Sequence, residues 1–250
     1  MTHDRYVLRY AAGSDVGRRR RINEDSLYAS SRLLAVADGI GGQPHGEVAS
    51  ATAVDVLREL DVDLRRVDLT TIDLAATLTG VVKSIAERLT EVAAQEPTTE
   101  GMGTTLTTLL FDGVTFAAAH VGDSRGYLLR DGGLRRLTRD HTLVQALVED
   151  GRVAAEDAAS HPRRSLLMRA LQTTGSSDPD IWTFTAKPGD RYLLCSDGLS
   201  GPVTEQTLRD TLESGTDPAE LVPELIRLAN EGGGPDNITC VIADVAELTA

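Results

Sequence analysis

Aromatic residues make up only 4% of this chain of 250 residues. With so few rings, the core has to be mostly aliphatic. Lysine occurs only at Lys83 and Lys187, so nearly all positive charge is arginine. The two cysteines, Cys195 and Cys240, each sit inside an apolar run. That is too few for a disulfide scaffold, and buried free thiols in a reducing cytosol are expected. The longest apolar runs, RLLAVADGI and TLTTLLF, fall far short of the ~20 residues that cross a bilayer. The opening MTHDRYVLRY lacks the apolar stretch of a secretion signal. The expected location is therefore cytoplasmic, with no membrane segment. Excess positive charge is also missing: Asp and Glu number 38 against 25 Lys and Arg, for a formal net charge of −13. A nucleic-acid binder needs a basic footprint, so no nucleic-acid partner is expected. The same charge is expected to disfavour strongly acidic substrates away from any metal centre. There is no internal repeat and no low-complexity linker, and a single domain over 1–250 is expected.

Periodicity divides the chain into strands and helices. Residues 5–40 alternate as strands in RYVLRYAAGSDVG, DSLYASS and RLLAVAD. Val48, Ala51, Val54, Leu57 and Leu60 have helical spacing, and residues 73–95 form a second long helix closed by Glu96-Pro97. Strands return over 104–139, with hairpin signals at Asp112-Gly113 and Asp131-Gly132. HTLVQALVEDGR and PRRSLLMRALQ read as short helices. Two further strands, WTFTA and RYLLCSDG, precede helices near 204–213 and 218–231 and a final strand, ITCVIADV. Hairpin-linked apolar strands with paired helices predict an α+β fold with antiparallel sheets.

Four segments run into an aspartate beside a tight-turn residue: Asp38-Gly39, Asp123-Ser124, Asp197-Gly198 and Asp236-Asn237. Any one of these dipeptides alone reads as a turn. Together they are harder to explain that way. Asp38, Asp123 and Asp197 end apolar runs, where an unpaired carboxylate is costly, and converging carboxylates repel unless cations neutralise them. Hard divalent ions, magnesium or manganese, suit such oxygen donors. The segment GRRRRINED at 17–25 has two readings, a solvated edge or an arginine placed to clamp a phosphate. Glu24 and Asp25 behind it are placed to hold metal-bound waters.

In order along the chain stand RxxNED (Arg20–Asp25), DGxGG (Asp38–Gly42), GMGTT (Gly101–Thr105), VGDSR (Val121–Arg125), SDG (Ser196–Gly198) and GPDN (Gly234–Asn237). This series resembles the metal-dependent serine/threonine protein phosphatases of type 2C. The resemblance spans about residues 6–245 and is strongest to the actinobacterial branch that opposes serine/threonine kinases. It implies a four-layer αββα sandwich, two antiparallel sheets face to face with helix pairs outside. It also implies hydrolysis of phosphoserine and phosphothreonine on proteins by a water activated between two Mn²⁺ or Mg²⁺ ions. Carried over by motif, Asp38, Asp197 and Asp236 hold the first ion. Asp38 bridges to the second, which also takes the Gly39 carbonyl. Asp123 with Asp197 would hold a third, weaker ion, which Ser160 can join. Arg20 binds the substrate phosphate, Asn237 orients Asp236, and residues 141–170 form a variable flap. Expected partners are phosphoproteins and the kinases that make them, and the chain is expected to act as a monomer.

One motif departs from the pattern. Where related bacterial enzymes carry a histidine after DGxGG, this chain has Gln43, and His45 follows as the candidate substitute in protonating the leaving group. A surface loop histidine is the alternative. Strand alternation makes His120 structural, and His141 reads as a flap anchor. Two other functions are consistent with the residues: a partner-switching phosphatase acting on an anti-sigma-factor antagonist, and an inactive phosphoprotein-binding module.

Overall fold

The computed structural model describes residues 6–40, 45–173, 178–215 and 217–248, with the side chains of 159 and 160 outside the description. In chain order the elements are β1 (Tyr6–Asp15), β2 (Asp25–Ala29), β3 (Leu33–Asp38), α1 (Gly46–Asp63), α2 (Leu74–Gln95), β4 (Gly103–Thr104), β5 (Leu106–Phe111), β6 (Thr115–Val121), β7 (Arg125–Arg130), β8 (Gly133–Arg136), α3 (Leu143–Glu149), β9 (Leu171–Gln172), β10 (Asp180–Thr185), β11 (Arg191–Cys195), α4 (Asp197–Ser200), α5 (Glu205–Ser214), α6 (Pro218–Glu231) and β12 (Ile238–Glu247). One five-stranded sheet has the order β1-β12-β11-β7-β8, the other β10-β6-β5-β3-β2. All pairings in both are antiparallel. The short strands β4 and β9 pair separately.

Alternation along the strands builds four layers. In β3, Leu33, Ala35 and Ala37 pack with α1 and α2 through Leu57, Leu78 and Ile85, while Leu34 and Val36 face the other way. In β11, Leu193 and Cys195 pack with α5 and α6 through Leu208 and Leu225, while Tyr192 and Leu194 join Leu34 and Val36 between the sheets. Each central strand is thus buried on both faces, with a helix pair outside each sheet. This is the expected αββα sandwich. Helix α2 begins where its cap demands, with the Asp73 carboxylate accepting from the Ala76 N–H.

The scarcity of rings is offset by where they sit. All three phenylalanines lie in one cluster: Phe116 stacks on Phe111 at 4.4 Å and on Phe184 at 5.4 Å, and packs against Tyr192 at 4.7 Å. Phe116 and Tyr192 are fully buried and couple the two sheets. The cysteines face each other across β11 and β12, free and buried, and burial pushes the Cys195 thiol up to about 12.

One predicted element is absent. PRRSLLMRALQ forms turns and the short β9, not a helix. Leu166, Leu167, Ala170 and Leu171 do have helical spacing, yet no helix forms and Leu166 and Met168 stay 51% and 61% exposed. Backbone bonds strap the segment down instead: Leu143 N–H donates to the Leu166 carbonyl and Met168 N–H to that of His141. Among the described residues, no helix is long and apolar enough to cross a membrane.

Because one cluster carries the contact between sheets, Phe116→Ala should destabilise the fold by about 3–5 kcal/mol. Urea unfolding monitored by circular dichroism measures this.

Candidate metal centre

Strand registers bring one end of the sandwich together. Asp25 at the start of β2 pairs with Asp38 at the end of β3, Cys195 at the end of β11 with Arg125 and Cys240, and Asp15 at the end of β1 with Ile238. Leu106 and Val121 pair at the same end of the second sheet. Asp38, Asp123, Asp197 and Asp236 therefore all sit at or just beyond strand ends on a single rim.

The backbone there is held by neutral hydroxyls and amides. Thr105 N–H donates to the Asp38 carbonyl at 2.8 Å, and Asp38 N–H to Thr105 Oγ1 at 3.1 Å. Thr104 Oγ1 donates to the same carbonyl at 3.0 Å. Ser196 Oγ donates to Asp25 Oδ2 at 2.8 Å and accepts from Thr239 N–H at 3.0 Å. Two glycines are required by close approach. A Cβ on Gly39 would lie 2.3 Å from the Gly46 carbonyl oxygen, and one on Gly198 only 1.9 Å from that of Asn237.

The carboxylates are crowded. Burial raises the Asp38 carboxyl well above its ordinary range, and Asp25, Asp197, Asp123 and Asp236 raise it further. Burial, then Asp236 and Asp25, lifts Asp197 to about 6, and burial, then Asp197 and Asp140, lifts Asp123 to about 8. Asp25, lifted to about 6 chiefly by burial, keeps one buried oxygen, Oδ1, with no hydrogen-bond partner. An orphaned carboxylate oxygen beside mutually repelling carboxylates is the environment that a divalent cation satisfies. Among the described residues no three acidic, histidine or cysteine side chains close into a finished cage. An open set of carboxylates suits an ion that keeps several of its waters.

Arg20 lies where the motif puts it. Its guanidinium donates to Asp236 Oδ2 at 2.7 Å and to Glu24 Oε2 at 3.2 Å. Burial works against its charge, but Asp236, Glu24 and Asp38 outweigh that and hold it protonated. Glu24 also anchors through its backbone, its carbonyl accepting from Gly39 N–H at 3.0 Å and Ser50 Oγ at 2.6 Å. Asn237 has a wider part than orienting its neighbour. Its backbone N–H meets Asp236 Oδ1 at 2.8 Å, while its side chain accepts from Glu24 N–H and donates to the Val16 and Ile22 carbonyls. It pins the arginine turn to the aspartate loop.

One candidate, His45, is not brought in. The half-exposed His45 ring pairs with Glu47 at 3.3 Å, and no hydrogen bond joins it to the aspartates. Gln43 lies outside the described residues, as does the Ser160 side chain, whose backbone ends a 3-10 turn (Ala155–Ser160) in the flap. His141 anchors the flap as expected: Nδ1 accepts from Gly122 N–H at 3.2 Å, and Nε2 faces Asp180, which also binds Arg169. His120 is buried against Thr107 and the Arg139 carbonyl, structural as its strand face implied. Sequence reasoning placed Asp25 behind the site, yet it lies opposite Asp38 inside the cluster. The alternation of Asp25, Leu27 and Ala29 toward the space between the sheets carried that signal. Thr105 and Ser196 were present in the motifs, but their hydrogen bonds were not.

The protein phosphatase 2C family model matches residues 13–238, and the chain belongs to that family. Among its relatives, it is 51% identical over 241 residues to the serine/threonine protein phosphatase PstP of Mycobacterium tuberculosis strain H37Rv, covering 96% of this chain and 46% of PstP. It thus spans about half the length of that curated relative. It is 36% identical over 236 residues to the serine/threonine phosphatase Stp of Listeria monocytogenes strain EGD-e, covering 92% of this chain and 93% of Stp. The crystal structure of the PstP catalytic domain in complex with two manganese ions matches with a TM-score of 0.88 at 48% identity, over 97% of this chain and 100% of that one.

Losing the Asn237 side chain would strand one N–H and two carbonyls, so Asn237→Ala should destabilise the fold by roughly 2–4 kcal/mol. Asn237→Asp keeps the acceptor for Glu24 and should fall between the two. Thermal unfolding of the three proteins in EDTA provides the comparison.

Proposed function

We propose that the chain is one catalytic domain of a protein-serine/threonine phosphatase that removes phosphate from serine and threonine side chains set by bacterial kinases. The single observation that carries this reading is the gathering of Asp38, Asp123, Asp197 and Asp236 with Arg20 on one rim of the sandwich. Asp38, Asp197, Asp236 and the Gly39 carbonyl would hold two Mn²⁺ or Mg²⁺ ions, and Asp123 with Asp197 a third, weaker one that Ser160 can join. Bound there, such ions lower the pKa of water and neutralise phosphate charge.

The chain's own residues do the rest. Arg20 is aimed at the rim by Asp236 and Glu24, so its planar fork can receive two phosphate oxygens. Thr104 and Thr105 fix the backbone of Asp38, which sets where its carboxylate points before substrate arrives. Glu24 orients waters at the edge of the site, while Asp25 stands opposite Asp38 inside it. The buried thiols lie beside each other without a bond, which suits action in a reducing cytoplasm.

Release of phosphate from a phosphothreonine peptide tests the reading directly. Release is expected with Mn²⁺ or Mg²⁺, is abolished by EDTA, and drops at least about a thousandfold in Asp38→Ala. A folded protein that releases none with either ion would contradict it. His45→Ala is expected to retain most of kcat, because its ring is turned to Glu47.

A further inference from the structure

The run of arginines does more than supply Arg20. Arg18, Arg19 and Arg21 are exposed, and among the described residues none has an ion-pair partner. Exposed arginines elsewhere, such as Arg58, Arg139 and Arg227, are each neutralised by a nearby Asp or Glu. In a chain of net charge −13, leaving three adjacent guanidiniums unpaired creates a local reversal of sign. The turn that carries them is fixed: Arg18 N–H donates to the Gly234 carbonyl at 2.8 Å, Gly17 N–H to Asp15 Oδ1 at 2.8 Å, and Asn237 holds both ends. Val16 and Ile22 flank it with 37% and 62% of their surface exposed.

A second basic segment lies in the flap. A cleft of about 930 Å³ opens from Asp123, Asp197 and Asp236, walled by Pro235 on the loop that seats the arginine turn and by Arg164 of the flap. Arg163 and Arg164 are likewise exposed and unpaired among the described residues, next to the exposed Leu166 and Met168. Of these arginines Arg164 lines the cleft itself, and the turn meets it at Asp236, which Arg20 binds at 2.7 Å. A phosphoresidue placed at the aspartates would send its neighbouring residues toward two basic banks.

We infer that these banks select protein substrates in which carboxylate side chains, Asp or Glu, flank the phosphorylated residue. The inference rests on the phosphatase reading. Charge complementarity is its physical basis: the aspartate centre takes the phosphate through cations, and the arginines take the flanking carboxylates. Because the turn is already pinned, little ordering is needed on binding. The substrate charge excluded by the protein as a whole is thus the charge accepted beside the site.

The test is kcat/KM, with Mn²⁺, for phosphothreonine peptides identical except for flanking Asp, Asn or Lys. It is measured at low and high ionic strength for the unmodified protein, for a triple variant (Arg18→Ala, Arg19→Ala, Arg21→Ala) and for a double variant (Arg163→Ala, Arg164→Ala). Asp flanks should exceed Asn flanks roughly tenfold at low salt, with Lys flanks poorest. That ratio should shrink with added salt and fall toward unity in the variants. Each ratio is taken within one protein, so partial misfolding of a variant cancels. Equal kcat/KM for Asp and Lys flanks in the unmodified protein would overturn the inference, as would a preference unchanged in both variants. No release from any peptide would overturn the phosphatase reading and this inference with it.

Discussion

Repulsion among desolvated carboxylates is the constraint around which this molecule is arranged. Asp25 and Asp38 are register partners at the end of one sheet, and Asp123, Asp197 and Asp236 are brought to the same rim from the other strands and loops. No apolar core would gather these groups for its own stability. The sandwich tolerates them because their backbones are locked by Thr104, Thr105, Ser196 and Asn237, all neutral groups that hold position without cancelling charge. Cancellation is left to Arg20, to Arg125 beside Asp123 and Asp197, and to cations. The orphaned Oδ1 of Asp25 marks where the protein's own groups fall short.

Much of the scaffold follows from patterns a reader can find unaided. The alternation in RLLAVAD and RYLLCSDG puts one set of side chains toward the helices and the other between the sheets, so two layers of helices and two of strands are implied by the runs themselves. Asp38, Asp123 and Asp197 were legible as a group because each ends such a run, and Asp236 because it sits beside a tight-turn residue as they do. Asp25 was legible only in part, since its partnership with Asp38 depends on strand register and not on the motif around it. The hydrogen bonds of Thr105 and Ser196 join residues far apart in the chain and leave no local trace. The strap at 162–172 misled because its leucines and arginines suggest a helix, while its actual shape is dictated by backbone bonds to His141 and Leu143.

Net charge describes this protein poorly. The acidic surface is interrupted by two arginine-bearing segments, the turn that sets Arg20 on Asp236 and the flap, whose Arg164 lines the cleft. Both are tied to the site: the turn through Asn237, and the flap through His141, whose ring is joined to the backbone beside Asp123. Both segments are therefore anchored to the rim that carries the aspartates.

Unfolded aspartates titrate near ~3.9, whereas in the folded chain burial and repulsion lift Asp25 and Asp197 to about 6 and Asp123 to about 8. In that window the native state holds more protons than the unfolded one, so these groups withdraw stability as pH rises. A divalent ion favours the ionised carboxylates and should restore it. The most direct measurement is the rise in Tm that Mn²⁺ produces over EDTA, taken at pH 5 and at pH 8. The account predicts a rise that is clearly larger at pH 8. A rise of equal size at both pH values, or none, would contradict the claim that the aspartate rim is built for cations.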